Sequence, residues 1–226
     1  MNVVTIDFDI IMEPSISFYN NMVDIEDPMK DYVDKFSFLT NIPADLYIYD
    51  YLTRYIVRAA KQNQEIYFVN SHDKVIEILK TIPHDEQIDL YNIDHHHDLG
   101  YDMESADWMR PMFKYDLSNW VKYARDKKMV DTFYWVHNEN SDPYPSEAAR
   151  YVTEDYVLKD FNLEDDKYAP DILIICSSFE WIPPVYQPLF YSWNTICSEI
   201  TGKEYPFDSI EKIWYNIYII ENSIDR

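Results

Sequence analysis

The chain has 226 residues, of which 47% are hydrophobic and 17% aromatic, so it is long and apolar enough for one domain with a substantial core and too apolar for a disordered chain. Its net charge of -22 repels nucleic-acid backbones and anionic membranes, and it suits a cationic substrate or bound metal ions. The same acidity is also typical of a protein that is merely soluble.

The composition predicts a cytoplasmic protein. No apolar stretch approaches the ~20 residues that span a bilayer, and the N-terminus lacks a basic segment followed by an apolar one. Cys176 and Cys197 are far apart and form no CxxC motif, which favours two buried, reduced thiols.

Apolar strands alternate with amphipathic helices along the chain. In chain order we predict a strand over 2–11, a helix over 44–62, a strand over 65–70, a helix over 71–82, a strand over 88–93, a helix over 116–128, strands over 130–137 and 171–178, a proline-rich turn over 180–189 and a helix over 209–224. This alternation predicts a single α/β domain over 1–226, with three layers and a mostly parallel central sheet.

Polar side chains follow three of these strands. The first strand leads to Asp7 and Asp9, the second to His72, and the third to the run "DHHHD" over 94–98. Ligands of open α/β sheets bind beyond the carboxyl ends of the strands, so these side chains are expected to meet. In an extended segment alternate residues share a face. That rule directs Asp7 and Asp9 to one side.

The same alternation groups Asp94, His96 and Asp98, and it directs His95 and His97 away from them. Carboxylate and imidazole ligands suit Mn, Fe or Zn. Six candidate ligands exceed what one ion usually takes from a protein, whereas a pair of ions bridged by carboxylates would use them all.

Each motif also has an ordinary structural explanation. A lone D-x-D is more often structural, and a histidine between a strand and a helix often caps or pairs.

The segments "YFVNSHDKVIEIL", "LYNIDHHHDLGY" and "TIDFDIIMEP" resemble metal-binding segments of the arginase/deacetylase superfamily of binuclear manganese hydrolases. The resemblance implies two Mn²⁺ ions bridged by Asp7 and Asp94. His72 and Asp98 would complete one coordination sphere, and Asp9 and His96 the other. In typical arginases the D-x-D segment follows the D-x-H-x-D segment, whereas here it opens the chain.

Further segments, "DLSNWV", "FYWVHNENS" and "SSFEWIPPVYQPLF", resemble an arginase-like branch that includes peptide arginases, which convert arginine within peptides to ornithine and urea. The resemblance implies a hydrolase with a cationic small-molecule or peptide substrate. Protonation of the leaving amine requires a proton shuttle, for which His137 and His97 are candidates. Glu180 could hold the guanidinium group, although it is equally compatible with a turn.

Three other interpretations stay open. "NIDHH" also resembles the D-H-H phosphoesterases, but the histidine and the glycine-serine pair that normally flank their D-x-D are absent. A haloacid-dehalogenase-type phosphatase, with Asp7 as nucleophile and Asp9 as acid, leaves the histidine run unexplained. A non-catalytic binding protein with a vestigial metal site is the third interpretation. The sequence does not indicate the oligomeric state.

Overall fold

The computed structural model describes residues 1–12, 43–100, 119–141, 143–178, 182 and 184–206. Six strands form its sheet: β1 (Asn2–Asp7), β2 (Glu65–Val69), β3 (Asp89–Ile93), β4 (Thr132–His137), β5 (Glu154–Val157) and β6 (Ile172–Cys176). The helices are α1 (Leu46–Lys61), α2 (Val75–Leu79), α3 (Trp120–Asp126) and α4 (Gln187–Thr201). Short 3₁₀ helices span Phe8–Ile11, His72–Lys74, Ser146–Tyr151, Leu158–Asp160, Asp166–Tyr168 and Pro184–Tyr186.

The sheet has the order β2-β6-β1-β3-β4-β5, and all its strand pairs are parallel. The predicted α/β class with a mostly parallel sheet is therefore confirmed. Because β1 lies between β6 and β3, the carboxyl ends of these three strands adjoin one another. Strand β2, which leads to His72, pairs with β6 on the side opposite to β1. This order gathers the polar segments that follow β1, β2, β3 and β6.

Alternating side chains of the strands enter two separate cores. On one face, Ile6 of β1 packs with Phe190 and Trp193 of α4 and with residues of α1. On the other face, Val3 packs with the cluster formed by α2 and α3, which includes Trp120. Apolar residues on both faces of each strand are expected in a parallel sheet covered by helices on both sides. Helices thus cover both faces of the sheet.

Helix α1 illustrates how the local sequence sets the structure. Asp45 caps its N-terminus by accepting hydrogen bonds from the backbone amides of Tyr47 and Ile48. Its apolar positions recur at helical spacing, and the buried face lies against α4. Helix α4 ends at Gly202, whose left-handed conformation (φ 68°) is a common helix terminator.

Several predicted elements differ from the structure. The first strand ends at Asp7 rather than at residue 11, because the chain turns into the 3₁₀ helix Phe8–Ile11. Strand β5 and most of helix α4 were not predicted; proline-rich composition pointed to a turn where α4 begins, although proline is well tolerated in a first helical turn. The predicted helix over 209–224 lies outside the described residues, as does the start of that over 116–128.

Both cysteines are free and buried, as predicted. In the part of the chain that the structure describes, no helix is long and apolar enough to cross a membrane.

Candidate metal centre

The six residues predicted as metal ligands converge at the carboxyl edge of the sheet. Asp7 is the last residue of β1, His72 begins the 3₁₀ helix after β2, and Asp94 follows β3 directly. All six are buried apart from His96, whose side chain is 21% exposed. The strand order therefore brings together groups that are up to 91 residues apart in the sequence.

One group of ligands surrounds a single nitrogen atom. His72 Nδ1 lies 3.2 Å from Asp7 Oδ2, 3.1 Å from Asp94 Oδ2 and 3.2 Å from Asp98 Oδ2. An imidazole nitrogen bears at most one hydrogen, so it cannot donate to three carboxylate oxygens at once. The oxygens also repel one another in this buried position. Hydrogen bonding alone does not explain this arrangement, which is one that could hold a cation.

A second group adjoins the first through Asp94. His96 Nδ1 lies 3.2 Å from Asp9 Oδ2 and 3.6 Å from Asp94 Oδ1. Asp94 thus directs one carboxylate oxygen to each histidine. Asp7, His72 and Asp94 form one set that could hold an ion, and Asp9, Asp94 and His96 form another, with the ligand atoms of each set within 4.8 Å of one another. This is the arrangement that a carboxylate-bridged pair of ions requires.

The two aspartates of the D-x-D segment reach the site by a different route from the one predicted. They were expected to share a face of an extended strand, but Asp9 lies in the 3₁₀ helix. Asp7 instead caps that helix, and its Oδ1 accepts a hydrogen bond of 3.3 Å from the Asp9 backbone amide. The turn, rather than strand alternation, places the two carboxylates together. The prediction that Asp7 and Asp9 share a face of an extended strand is wrong.

The histidine run bends rather than continuing β3. Asp94 Oδ1 accepts a hydrogen bond of 2.9 Å from the backbone amide of His96, and Asp94 Oδ2 accepts one of 3.2 Å from Asn92 Nδ2. Asp98 has a left-handed backbone (φ 51°), which turns its carboxylate back towards His72. The predicted partition of side chains still holds, since Asp94, His96 and Asp98 reach the centre.

The other two histidines of the run serve as packing groups. His95 Nε2 lies 2.7 Å from the Met12 carbonyl oxygen, and burial lowers the pKa of His95 to about 4. The ring of His97 lies edge-on to Trp135 at 5.9 Å, and its Nδ1 accepts a hydrogen bond of 3.1 Å from the Leu99 amide. Burial also lowers the pKa of His97 to about 4, so both rings are neutral at pH 7.

The remaining predicted catalytic residues lie elsewhere. His137, the last residue of β4, stacks on Trp135 at 4.2 Å, and its Nε2 lies 3.6 Å from Asp155 Oδ2 at the β5 side of the sheet. None of its contacts within the described residues is with the metal-ligand groups. Glu180 lies outside the described residues.

The electrostatics of the centre reflect an excess of negative charge. Burial, reinforced by Asp7 and Asp94, raises the pKa of Asp9 well above its usual range. Burial and the charge of Asp94 raise the pKa of Asp98 to about 7. Burial favours the neutral form of His72, but the surrounding carboxylates of Asp7, Asp94 and Asp98 outweigh that effect and raise its pKa.

Asp94 behaves differently from its neighbours. Burial favours its neutral form, but hydrogen bonds and charges from both His72 and His96 outweigh that effect and lower its pKa. It is fully buried and accepts from two histidines, so it is the carboxylate held most firmly in the ionised form. An ionised carboxylate between two imidazoles is what a bridging ligand requires.

The donor set fits a pair of divalent ions. Two ligand atoms about 2.1 Å from an ion and at a right angle to each other are about 3.0 Å apart, close to the 3.1–3.2 Å separations around His72. Four buried carboxylates bring four negative charges, which two divalent cations balance while both histidines stay neutral. Oxygen and imidazole donors suit Mn, Fe or Zn.

Three side chains outside the predicted ligand set stabilise the centre. Trp120 Nε1 donates a hydrogen bond of 2.5 Å to Asp98 Oδ2, and Trp135 Nε1 donates one of 3.0 Å to the Asp94 carbonyl oxygen. Ser178, after β6, donates one of 2.6 Å to Asp7 Oδ2. Sequence reasoning missed Ser178, although the pair of serines after the most apolar strand was a signal that could have identified it.

Comparison with protein-family models, with curated proteins and with solved structures finds no match to this chain. The assignment of these residues as metal ligands therefore rests on their geometry.

Proposed function

We propose that this protein is a binuclear metal-dependent hydrolase of C–N bonds, with Mn²⁺ as the preferred metal. The observation that supports this proposal most strongly is the sharing of Asp94 between two carboxylate–histidine groups. A structural site for one ion would not need a second buried group beside it. Two adjacent divalent ions lower the pKa of a bound water and polarise the group under attack, which is the chemistry of hydrolysis.

The residues of the centre would differ in their roles in metal binding and substrate access. Asp7, Asp94 and Asp98 would hold one ion with His72, at the more deeply buried position. His96 is the most exposed of the proposed ligands, so a substrate would approach the centre from its side. The buried carboxylates would exclude anionic substrates that did not bring their own cation.

The substrate that we propose is the guanidinium group of arginine in a peptide or protein, with ornithine and urea as products. The motifs that resemble those of arginases support the reaction type, and the net charge of -22 is compatible with a cationic substrate. The preference for a peptide over free arginine rests on the motifs around Trp120, Trp135 and Trp181 alone.

A proton must be delivered to the leaving amine, and the two candidate histidines differ in their suitability. His97 is enclosed, neutral and edge-on to Trp135 and Tyr144. His137 has a side chain that is 15% exposed and faces the Asp155 carboxylate, so it can exchange protons with solvent. We propose His137 as the better proton shuttle, reached by movement of the substrate or through water.

The position of His95 weighs against a D-H-H phosphoesterase. That interpretation pairs Asp94 with the adjacent His95 and His96 as its signature, but His95 Nε2 contacts the Met12 carbonyl oxygen and lies 3.2 Å from Asn138 Nδ2. His95 is thus engaged with backbone and amide groups rather than with the carboxylates.

The proposal is tested by metal analysis followed by two activity assays. Elemental analysis of Mn²⁺-reconstituted protein should find two ions per chain in the wild type and a loss of metal in Asp94→Asn, which keeps the shape of the side chain. Urea release should then be measured with free arginine and with short arginine peptides, and phosphate release with a nucleotide and a phosphodiester.

Urea from arginine peptides, absent in Asp94→Asn, is the expected result. Phosphate release without urea would instead identify a phosphoesterase. Metal without either activity would refute a guanidinium substrate, and the lack of bound metal would refute the hydrolase itself.

A further inference from the structure

Strand β6 ends beside β1, and the two serines that follow it lie next to the proposed metal centre. Asp7 of β1 pairs with Cys176 of β6, so Ser178 is only two residues beyond the partner of Asp7. Ser178 is buried, and its hydroxyl donates a hydrogen bond of 2.6 Å to Asp7 Oδ2. This is the length of a strong hydrogen bond from a hydroxyl group to a charged carboxylate.

The hydroxyl of Ser178 holds the oxygen of Asp7 that faces the histidine. Asp7 Oδ2 is also the atom that lies 3.2 Å from His72 Nδ1, whereas Asp7 Oδ1 accepts from the Asp9 amide at 3.3 Å. Each oxygen of the carboxylate thus has its own donor. Two donors on two oxygens fix both the position and the rotation of the carboxylate plane, which leaves one lone pair of Oδ2 directed to the centre.

The backbone of Ser178 is held in an unfavourable conformation to reach this position. Its φ is 39°, in the left-handed region that non-glycine residues rarely adopt. Such conformations persist where the surrounding structure determines them, and they concentrate at functional sites. Ser177 provides a contrast, since it is equally buried but its Oγ has no hydrogen-bond partner among the described residues.

We propose that Ser178 is a positioning residue of the metal centre, which orients the Asp7 carboxylate for metal binding. The inference rests on the proposed binuclear centre. Residues that hydrogen-bond to metal ligands typically change metal affinity by 10–100-fold when they are removed, without being ligands themselves.

Two variants separate the hydroxyl from the backbone. Ser178→Ala removes the hydroxyl and keeps the backbone strain, whereas Ser178→Gly removes the hydroxyl and tolerates the positive φ. Ser177→Ala is the matched control, because it deletes a hydroxyl of equal burial from the neighbouring residue. Mn²⁺ affinity should be measured for each by titration calorimetry, and paired ions should be detected by electron paramagnetic resonance of spin-coupled Mn²⁺.

We expect Ser178→Ala and Ser178→Gly to bind Mn²⁺ at least about 10-fold more weakly than the wild type, and Ser177→Ala to bind it unchanged. Metal-free Ser178→Gly should melt at or above the temperature of Ser178→Ala, which separates the loss of affinity from a loss of folding. Wild-type affinity in both Ser178 variants would overturn the inference. Recovery of affinity by Ser178→Gly alone would also overturn it, because backbone strain would then be the cause.

The same experiment distinguishes failure of the proposed role of Ser178 from failure of the proposed function. If the wild type binds two Mn²⁺ ions and the Ser178 variants match it, the proposed centre stands and the role of Ser178 is wrong. If the wild type binds no Mn²⁺, the proposed function itself is wrong, and the role of Ser178 is refuted with it.

Discussion

Mn²⁺ should raise the free energy of unfolding in two separable increments, one for each ion. The ligands come from segments that are adjacent only in the folded sheet, so the ions bind the folded chain in preference to the unfolded chain. His96→Ala should remove one increment, because His96 belongs to the second group alone. Asp94→Asn should remove both, because Asp94 contributes an oxygen to each group.

The size of each increment follows from mass action. With free Mn²⁺ at 100 times the dissociation constant, one site adds about 2.7 kcal/mol to the free energy of unfolding, and two independent sites add about 5.4 kcal/mol. In a domain of this size each kcal/mol raises the melting temperature by roughly 2–4 °C. We therefore expect a rise of about 11–22 °C for the wild type and about 5–11 °C for His96→Ala.

The measurement is thermal unfolding in a chelator and then in increasing Mn²⁺, followed by circular dichroism. His84→Ala is the control for nonspecific binding, since His84 is an exposed histidine that belongs to neither ligand group. An unchanged melting temperature of the wild type, with Mn²⁺ absent from the dialysed protein, would refute the reasoning. A full shift in Asp94→Asn would refute the bridging role of Asp94.

Three further outcomes are expected. His95→Ala should retain Mn²⁺ and His96→Ala should lose affinity, as measured by elemental analysis, because His95 contacts a backbone carbonyl; the reverse would favour the phosphoesterase register. Trp120→Phe keeps an aromatic side chain but removes the indole N–H that donates to Asp98 Oδ2, so Mn²⁺ affinity should fall about 10-fold in calorimetry. Unchanged affinity would show that this hydrogen bond is dispensable. Above pH 7 the chelated protein should lose at least about 1.4 kcal/mol of stability per pH unit in urea titrations, because folded His72 and Asp9 keep protons that the unfolded chain has released, and Asp98 adds to the loss near pH 7; stability that rises with pH there would contradict these raised pKa values.

The main features of the fold could be predicted because parallel sheets leave a strong signal in sequence. Strands buried on both faces are continuous apolar runs, and helices between them are amphipathic. The rule that ligands gather at the carboxyl ends of strands then predicts that Asp7, His72 and Asp94 are neighbours. Strand order was not needed for that step, because every strand of a parallel sheet ends at the same edge.

Two elements could not be predicted, for different physical reasons. Strand β5 (Glu154–Val157) is short, polar at its start and only half-buried at its end, so it lacks the apolar run of a central strand. It lies at the edge of the sheet, where one side needs no partner. Helix α4 was obscured by prolines, which stop a helix in its interior but are compatible with its first turn.

The backbone conformations that place side chains at the candidate metal centre could not be predicted, because residue type does not indicate them. The described residues include four non-glycine residues with positive φ: Asn63, Asp98, Lys128 and Ser178. Asn63 and Lys128 follow the ends of α1 and α3, where a left-handed residue commonly closes a helix. The other two, Asp98 and Ser178, close no helix.

Both of those residues place a side-chain oxygen atom beside the carboxylate–histidine cluster of the candidate metal centre. Asp98 Oδ2 lies 3.2 Å from His72 Nδ1, and Ser178 Oγ donates to Asp7 Oδ2 at 2.6 Å. Unfavourable backbone conformations cost of order 1–3 kcal/mol each, so the surrounding structure must maintain them. The Asp98 oxygen belongs to the cluster around His72 Nδ1, and the Ser178 hydroxyl holds the Asp7 oxygen of that cluster. This coincidence of backbone strain with converging oxygen atoms is independent of the resemblance to arginases, and it favours a centre that is built to hold cations.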